Sequence, residues 1–137
     1  MKKEMLSLNG WIAEAEEWQQ SLADFLIEYN MRELECSAED LLAKMQEMLD
    51  VMEKSVEYGL SGVKSHSGLT GGDAKRLAEA EADERFISLL GEKATDAVIY
   101  ATAVGECNAA MGRIVAAPTA GASGVLPGVF FSLKKHY

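Results

Sequence analysis

The chain has 137 residues, 48% hydrophobic and 26% charged, with two prolines, which suits one helix-rich soluble domain (residues 1–137) and is too short for two comfortable ones. Its net charge of −9 lies in the first part, where residues 1–58 hold 14 acidic and 5 basic side chains against eight of each in residues 59–137, and this argues against a nucleic-acid partner. No apolar run approaches the roughly 18 residues that span a bilayer and no signal-type core follows Met1, so no membrane is expected and a cytoplasmic location is the default.

Asn9 can cap a first helix with Trp11, Ile12, Ala15 and Trp18 on one side and Glu14, Glu16 and Glu17 on the others. Ser21 starts a second, with Leu22, Phe25, Leu26 and Tyr29 as its inner face, running to about Glu35. The third has the clearest signature. Ser37-Ala-Glu-Asp40 places an N-cap hydroxyl three residues before a carboxylate, and Leu41, Leu42, Met45, Met48, Leu49, Met52 and Val56 recur at helical spacing up to Gly59. Its methionines fit core filling better than an adaptable partner surface, because they sit on the apolar stripe. Cys36 and Cys107 stand 71 positions apart with no Cys-x-x-Cys spacing, and read as two reduced thiols rather than a disulfide or a self-contained metal site.

Periodicity stops at Gly59. Residues 59–73 hold five glycines, four hydroxyl side chains and His66, with Val63 and Leu69 as groups the loop can bury. A run of this kind in a compact domain is functional or disordered. His66 can carry a proton near neutral pH, Lys64 supplies charge, and Ser65, Ser67 and Thr70 supply donors, although an exposed loop histidine is the plainer reading of His66. Asp73 is expected to cap a helix beginning Ala74-Lys-Arg-Leu77, and residues 74–90 to form one or two short helices broken around Asp83 to Glu84.

A long helix follows from about Lys93 to Met111. Ala97, Ala101, Gly105, Asn108 or Ala109, and Gly112 fall one turn apart, leaving a strip nearly bare of side chain that another element can approach closely. Ile114 to Ala117 is the only β-tempting run and has no partner, so the fold expected is all-α with about six helices. No P-loop, Rossmann, HExxH or nucleophile-elbow pattern occurs. From Asn108 to Gly128 nearly every residue is small, apolar or turn-forming, and the polar heads are Asn108, Arg113, Thr119 and Ser123. Gly112, Gly121 and Gly124 around Pro118-Thr119 predict a tight loop with exposed amides. Ser123 then predicts the N-cap of a closing helix whose buried stripe is Val125, Leu126, Val129, Phe130 and Leu133. Free amides feeding a helix start suit a carboxylate or phosphate, with a close-packed helix junction as the competing reading.

Taken together, Ser65-His-Ser-Gly-Leu-Thr-Gly-Gly-Asp-Ala74 and Asn108-Ala-Ala-Met-Gly-Arg-Ile-Val-Ala-Ala-Pro-Thr-Ala-Gly-Ala-Ser-Gly-Val-Leu-Pro-Gly128 strongly resemble the alpha subunit of iron-sulfur-dependent L-serine dehydratases, or L-serine ammonia-lyases. The likeness extends through the Met48 to Leu60 helix and covers most of the chain after about residue 20. It implies a lyase of serine catabolism and gluconeogenesis that works without pyridoxal phosphate (PLP). L-Serine loses water to give aminoacrylate, which becomes pyruvate and ammonia, with a 4Fe-4S cluster as Lewis acid on the serine hydroxyl. The substrate-binding candidates are Ser67, Gly68, Thr70, Gly71, Gly72, Asn108, Arg113, Thr119, Ala120, Gly121 and Ser123, on two glycine-rich loops expected to lie side by side. Lys64, His66 and Lys75 are alternative bases for the α-proton. The choice among them, and between L-serine and L-threonine, stays open.

The family's three cluster cysteines lie in a Gly-rich region downstream of the Ala-Pro-Thr-Ala-Gly motif, and the Ser-Ser-Ser-His motif of its beta domain has no counterpart here. The chain is therefore expected to be the N-terminal part of an alpha subunit. Its partners would be the rest of the alpha chain and a beta subunit or domain, the cluster ligands would come after Tyr137, no metal would bind in residues 1–137, and the chain alone would be inactive. The rival reading is a non-catalytic helical protein-interaction module whose acidic helices bind a partner.

Overall fold

The computed structural model describes residues 7–80 and 90–137, and among them the fold is all-α. Six helices follow in order: α1 Leu8–Glu17, α2 Leu22–Glu33, α3 Ala38–Leu60, α4 Asp73–Ala80, α5 Glu92–Ala109 and α6 Val125–His136, with a 3-10 turn at Ala120–Ala122. No strand occurs among the described residues, only an isolated antiparallel bridge between Lys64 and Gly71. The expected helical continuation through Phe86, Ile87 and Leu89 lies outside the described residues. The chain divides into two compact units, Met1–Gln46 and Glu47–Tyr137.

In the first unit α1 packs on α2. The Ser7 hydroxyl, and not Asn9, accepts from the Gly10 amide, because the helix already begins at Leu8. Ser21 caps α2 as expected, accepting from Asp24 N at 3.1 Å. Phe25 is buried, with Trp18 edge-on at 5.9 Å and Tyr29 stacked at 6.2 Å, and the Arg32 guanidinium lies over the Trp18 ring. Such aromatic pairs contribute ~0.5–1.5 kcal/mol each beyond simple burial. Ser37 also caps as expected, accepting from Asp40 N at 3.1 Å while its hydroxyl donates to the Asp40 carboxylate.

In the second unit Val56, Ala74, Ala103 and Val104 form a buried cluster, with Leu60, Tyr100, Ile114 and Phe131 packed around it. On α3 Met52, Ser55, Val56 and Gly59 are buried, so core filling is realised at Met52, whereas Met48 and, in the first unit, Met45 stay about half exposed and do not fill the core. Gly59 lies inside α3 rather than ending it: a Cβ there would stand 2.0 Å from the Ala103 carbonyl oxygen.

The closing helix departs most from expectation. Its buried residues are Pro127, Gly128 and Ser132, while Val125, Leu126, Val129, Phe130 and Leu133 are 39–60% exposed. The cause is the bare strip on α5. Cβ atoms at Gly124 and Gly128 would fall 2.5 Å from the Ala101 and 2.6 Å from the Ala97 carbonyl oxygens, so the backbones meet through the small side of each helix. The Ser132 hydroxyl donates to Lys93 O at 2.7 Å, and buried Asp96 receives Lys135 Nζ at 2.8 Å and lies 2.6 Å from His136 Nε2. The large side of α6 is left outward.

Candidate functional site

The first glycine-rich loop is ordered by its own polar groups. Ser65 is the hub: its amide donates to Thr70 O at 2.8 Å, its hydroxyl accepts from Thr70 N at 3.1 Å, and its carbonyl accepts from Gly68 N at 2.9 Å. Leu69 is 90% exposed, so the loop does not bury it as expected. The loop's far end is fixed by Glu106, only 3% exposed, whose carboxylate accepts from the amides of Gly72 (3.0 Å), Asp73 (2.6 Å) and Ala74 (3.3 Å). A buried carboxylate is tolerated when several donors reach it, and the start of α4 supplies them. Asp73 therefore does not cap α4. It is the helix's first residue, and its carboxylate pairs with Arg76 one turn on.

The second loop leaves α5 through a tight reversal. Met111 N donates to Asn108 O and Gly112 N to Cys107 O at 2.8 Å, with Met111 in the left-handed region at φ 61°. Cys107, buried here, is 3.7 Å from Arg113 O, and burial pushes its thiol pKa up. Beside this reversal is a cavity of ≈ 410 Å³ lined by Val51, Lys54, Tyr58, Cys107, Gly112 and Arg113. Lys54 and Arg113 on its wall are exposed, and neither joins an ion pair among the described residues.

Further along, the Thr119 hydroxyl caps the 3-10 turn by accepting from Ala122 N at 3.3 Å. Ser123 is 1% exposed and its hydroxyl donates to Ala120 O at 2.7 Å. It does not cap α6, because the 3-10 turn places Gly124 at the cap position, with no side-chain hydrogen bond. Ala120 and Gly121 lie exposed on the turn.

Of the candidates, Arg113 lines the cavity, Asn108 is exposed near the end of α5, and Lys64, His66, Lys75, Ser67, Gly68 and Thr70 are exposed. Gly71 is held in the bridge to Lys64, and the Gly72 amide is already committed to Glu106. No hydrogen bond or ion pair among the described residues joins segment 61–72 to segment 111–124 directly. Helix α5 links them, with Glu106 at the end of one and Cys107 against the start of the other. Sequence reasoning missed Glu106, Lys54 and Tyr58. A signal for Glu106 existed, since it is the single charged residue between Asp96 and Arg113.

The model of the family described as serine dehydratase alpha chain matches residues 3–137. The probable L-serine dehydratase alpha chain of Bacillus subtilis (strain 168) is 45% identical over 114 residues, which are 83% of this chain and 37% of the relative. The L-serine dehydratase alpha chain of Peptoniphilus asaccharolyticus is 32% identical over 116 residues, 83% of this chain and 39% of the relative. The chain thus spans less than half the length of these curated relatives, and no solved structure matches it.

Proposed function

The chain belongs to the serine dehydratase alpha chain family, and from that premise we propose that it forms part of an L-serine ammonia-lyase whose amino-acid site includes segments 65–72 and 108–124. The family match carries this reading. Its support in the fold is Arg113, which stands with Lys54 on the wall of a cavity.

The reaction is an α,β-elimination. A base removes the α-proton of L-serine, the β-hydroxyl departs as water, and the aminoacrylate tautomerises and hydrolyses to pyruvate and ammonia. The part assigned to this chain is binding and orientation. The planar guanidinium of Arg113 suits a carboxylate in two parallel hydrogen bonds, and Lys54 adds charge to the same wall. Lys64, His66 and Lys75 remain alternative bases.

The described residues do not fit a 4Fe-4S cluster: no group of three or more His, Cys, Asp or Glu converges to hold a metal, and Cys107 is buried with a neutral thiol favoured. We therefore place the cluster thiolates in other polypeptide of the alpha chain, and no step assigned to this chain runs through a cluster. The partners proposed are L-serine, the rest of the alpha chain and a beta subunit or domain, in the cytoplasm. Among the described residues no helix is long and apolar enough to cross a membrane.

The test uses the assembled alpha-beta enzyme carrying this sequence. Arg113→Ala is expected to lower kcat/KM for L-serine by at least ~100-fold, about 2.7 kcal/mol of transition-state stabilisation, with circular dichroism unchanged and part of the loss recovered in Arg113→Lys. Unchanged turnover in both Arg113→Ala and Thr119→Ala is what an interaction module predicts, and it would sink the site reading.

A further inference from the structure

Helix α6 has two unlike sides, and only one of them is used. From Gly124 to Leu133 it has no charged residue, its small side is closed against α5, and Val125, Leu126, Val129, Phe130 and Leu133 stand 39–60% exposed on the other. The charged residues of its last turn are engaged elsewhere, Lys134 with Glu53 and Lys135 with Asp96.

We propose that this outward face of α6 is the seat for alpha-chain polypeptide lying outside the stretch that this chain matches, docked through an uncharged apolar helix face. The proposal rests on the family reading above. Two observations select that occupant. The matched stretch is only 37% and 39% of the two relatives' length, so most of an alpha chain is available to cover the face. The face is also small. Five side chains about half exposed offer roughly 400 Å², about half of the ~800 Å² each partner gives to a stable independent complex, so a second copy would gain too little. Polypeptide of the same chain needs less area, because its linkage supplies a high effective concentration.

The experiment places this sequence in the full-length alpha chain of the Bacillus relative, in place of the stretch it matches, so that the linkage is kept, and assembles that chain with its beta subunit. A photo-crosslinking benzoylphenylalanine at position 129 keeps the face apolar, and its adduct is located by proteolysis and mass spectrometry. An adduct within the same chain, to polypeptide outside the matched stretch, is expected, with its yield lowered at least ~10-fold by Phe130→Asp beside it. If that variant loses helicity, the adduct of the chain without it still decides. No adduct, adducts only between copies of the chain, or a yield indifferent to Phe130→Asp in a variant that keeps its helicity would each overturn the proposal. Turnover is read separately. An assembly that gives the adduct but releases no pyruvate from L-serine counts against the proposed function and leaves the docking face standing.

Discussion

Glu106 concentrates three backbone hydrogen bonds on one buried carboxylate, so its removal strands several groups at once. In Glu106→Ala the amides of Gly72, Asp73 and Ala74 lose their acceptor, at an expected cost of roughly 1–3 kcal/mol in stability. Hydrogen exchange at those amides should accelerate, and unchanged exchange would show that something else holds the loop. Glu106→Gln keeps one acceptor oxygen and should lie between. Cys107 behaves in the opposite sense, since burial favours its neutral form and raises its pKa in the fold. Its contribution to stability is fully present below the free-thiol pKa of about 8.5 and is lost as pH rises through the folded value, because the unfolded thiol ionises first. Alkylation followed by mass spectrometry at pH 8 should accordingly modify half-buried Cys36 well before Cys107; equal rates would contradict the burial argument. At the end of α5 the division of labour between Met111 and Gly112 is likewise steric. Met111 takes the left-handed position, while a Cβ on Gly112 would come within 2.5 Å of Cys107 Sγ.

At the level of elements, small residues of α5 set how closely its neighbours approach, Ala97 and Ala101 on the bare strip toward α6 and Ala103 off that strip toward α3. Gly59→Ala and Gly124→Ala each place a methyl against backbone, which cannot rotate away as a side chain can. Each should cost about 1–3 kcal/mol or more, Gly59→Ala despite alanine's better propensity within a helix. Gly105→Ala is the control on α5 itself, because its added Cβ meets nothing within 4 Å, and it should stabilise by ~0.5–1 kcal/mol. Thermal melts that rank the three variants otherwise would refute the close-approach account. These same contacts explain what could be read from the sequence. Ser21 and Ser37 announced their helices because a cap is a local bond, and the two glycine-rich segments were visible from composition. Periodicity showed that α6 has two distinct faces but not which one turns inward. The rule that large apolar residues go inside chose Val125 to Leu133, whereas the fold matched Gly124 and Gly128 to Ala97 and Ala101, and Ser132 to the Lys93 carbonyl. Glu106 and Lys54 were hidden because their roles depend on partners more than thirty positions away in the chain or across a cavity wall.

Over the whole molecule, burial is uneven between the two units. In Met1–Gln46 the buried side chains among the described residues are Ala15 and Phe25, whereas Glu47–Tyr137 buries Met52, Val56, Ala74, Ile99, Ala103, Val104 and Cys107, together with Asp96 and Glu106 in their hydrogen bonds. A buried Val- or Ile-sized side chain is worth ~1.5–3 kcal/mol against the ordering entropy of its segment, and the first unit has few such terms to set against the cost of ordering two helices. Residues 1–58 also carry the entire net charge of −9, and like charges add a repulsion that salt screens. Local opening follows local burial, so α1 and α2 should open well below the free energy of global unfolding. Hydrogen exchange measured helix by helix at neutral pH is expected to show α1 and α2 amides exchanging at least ~10-fold faster than those of α5, a difference of about 1.4 kcal/mol or more. Amides of α1 as protected as those of Ile99 to Val104 would mean that burial within the first unit does not set its stability.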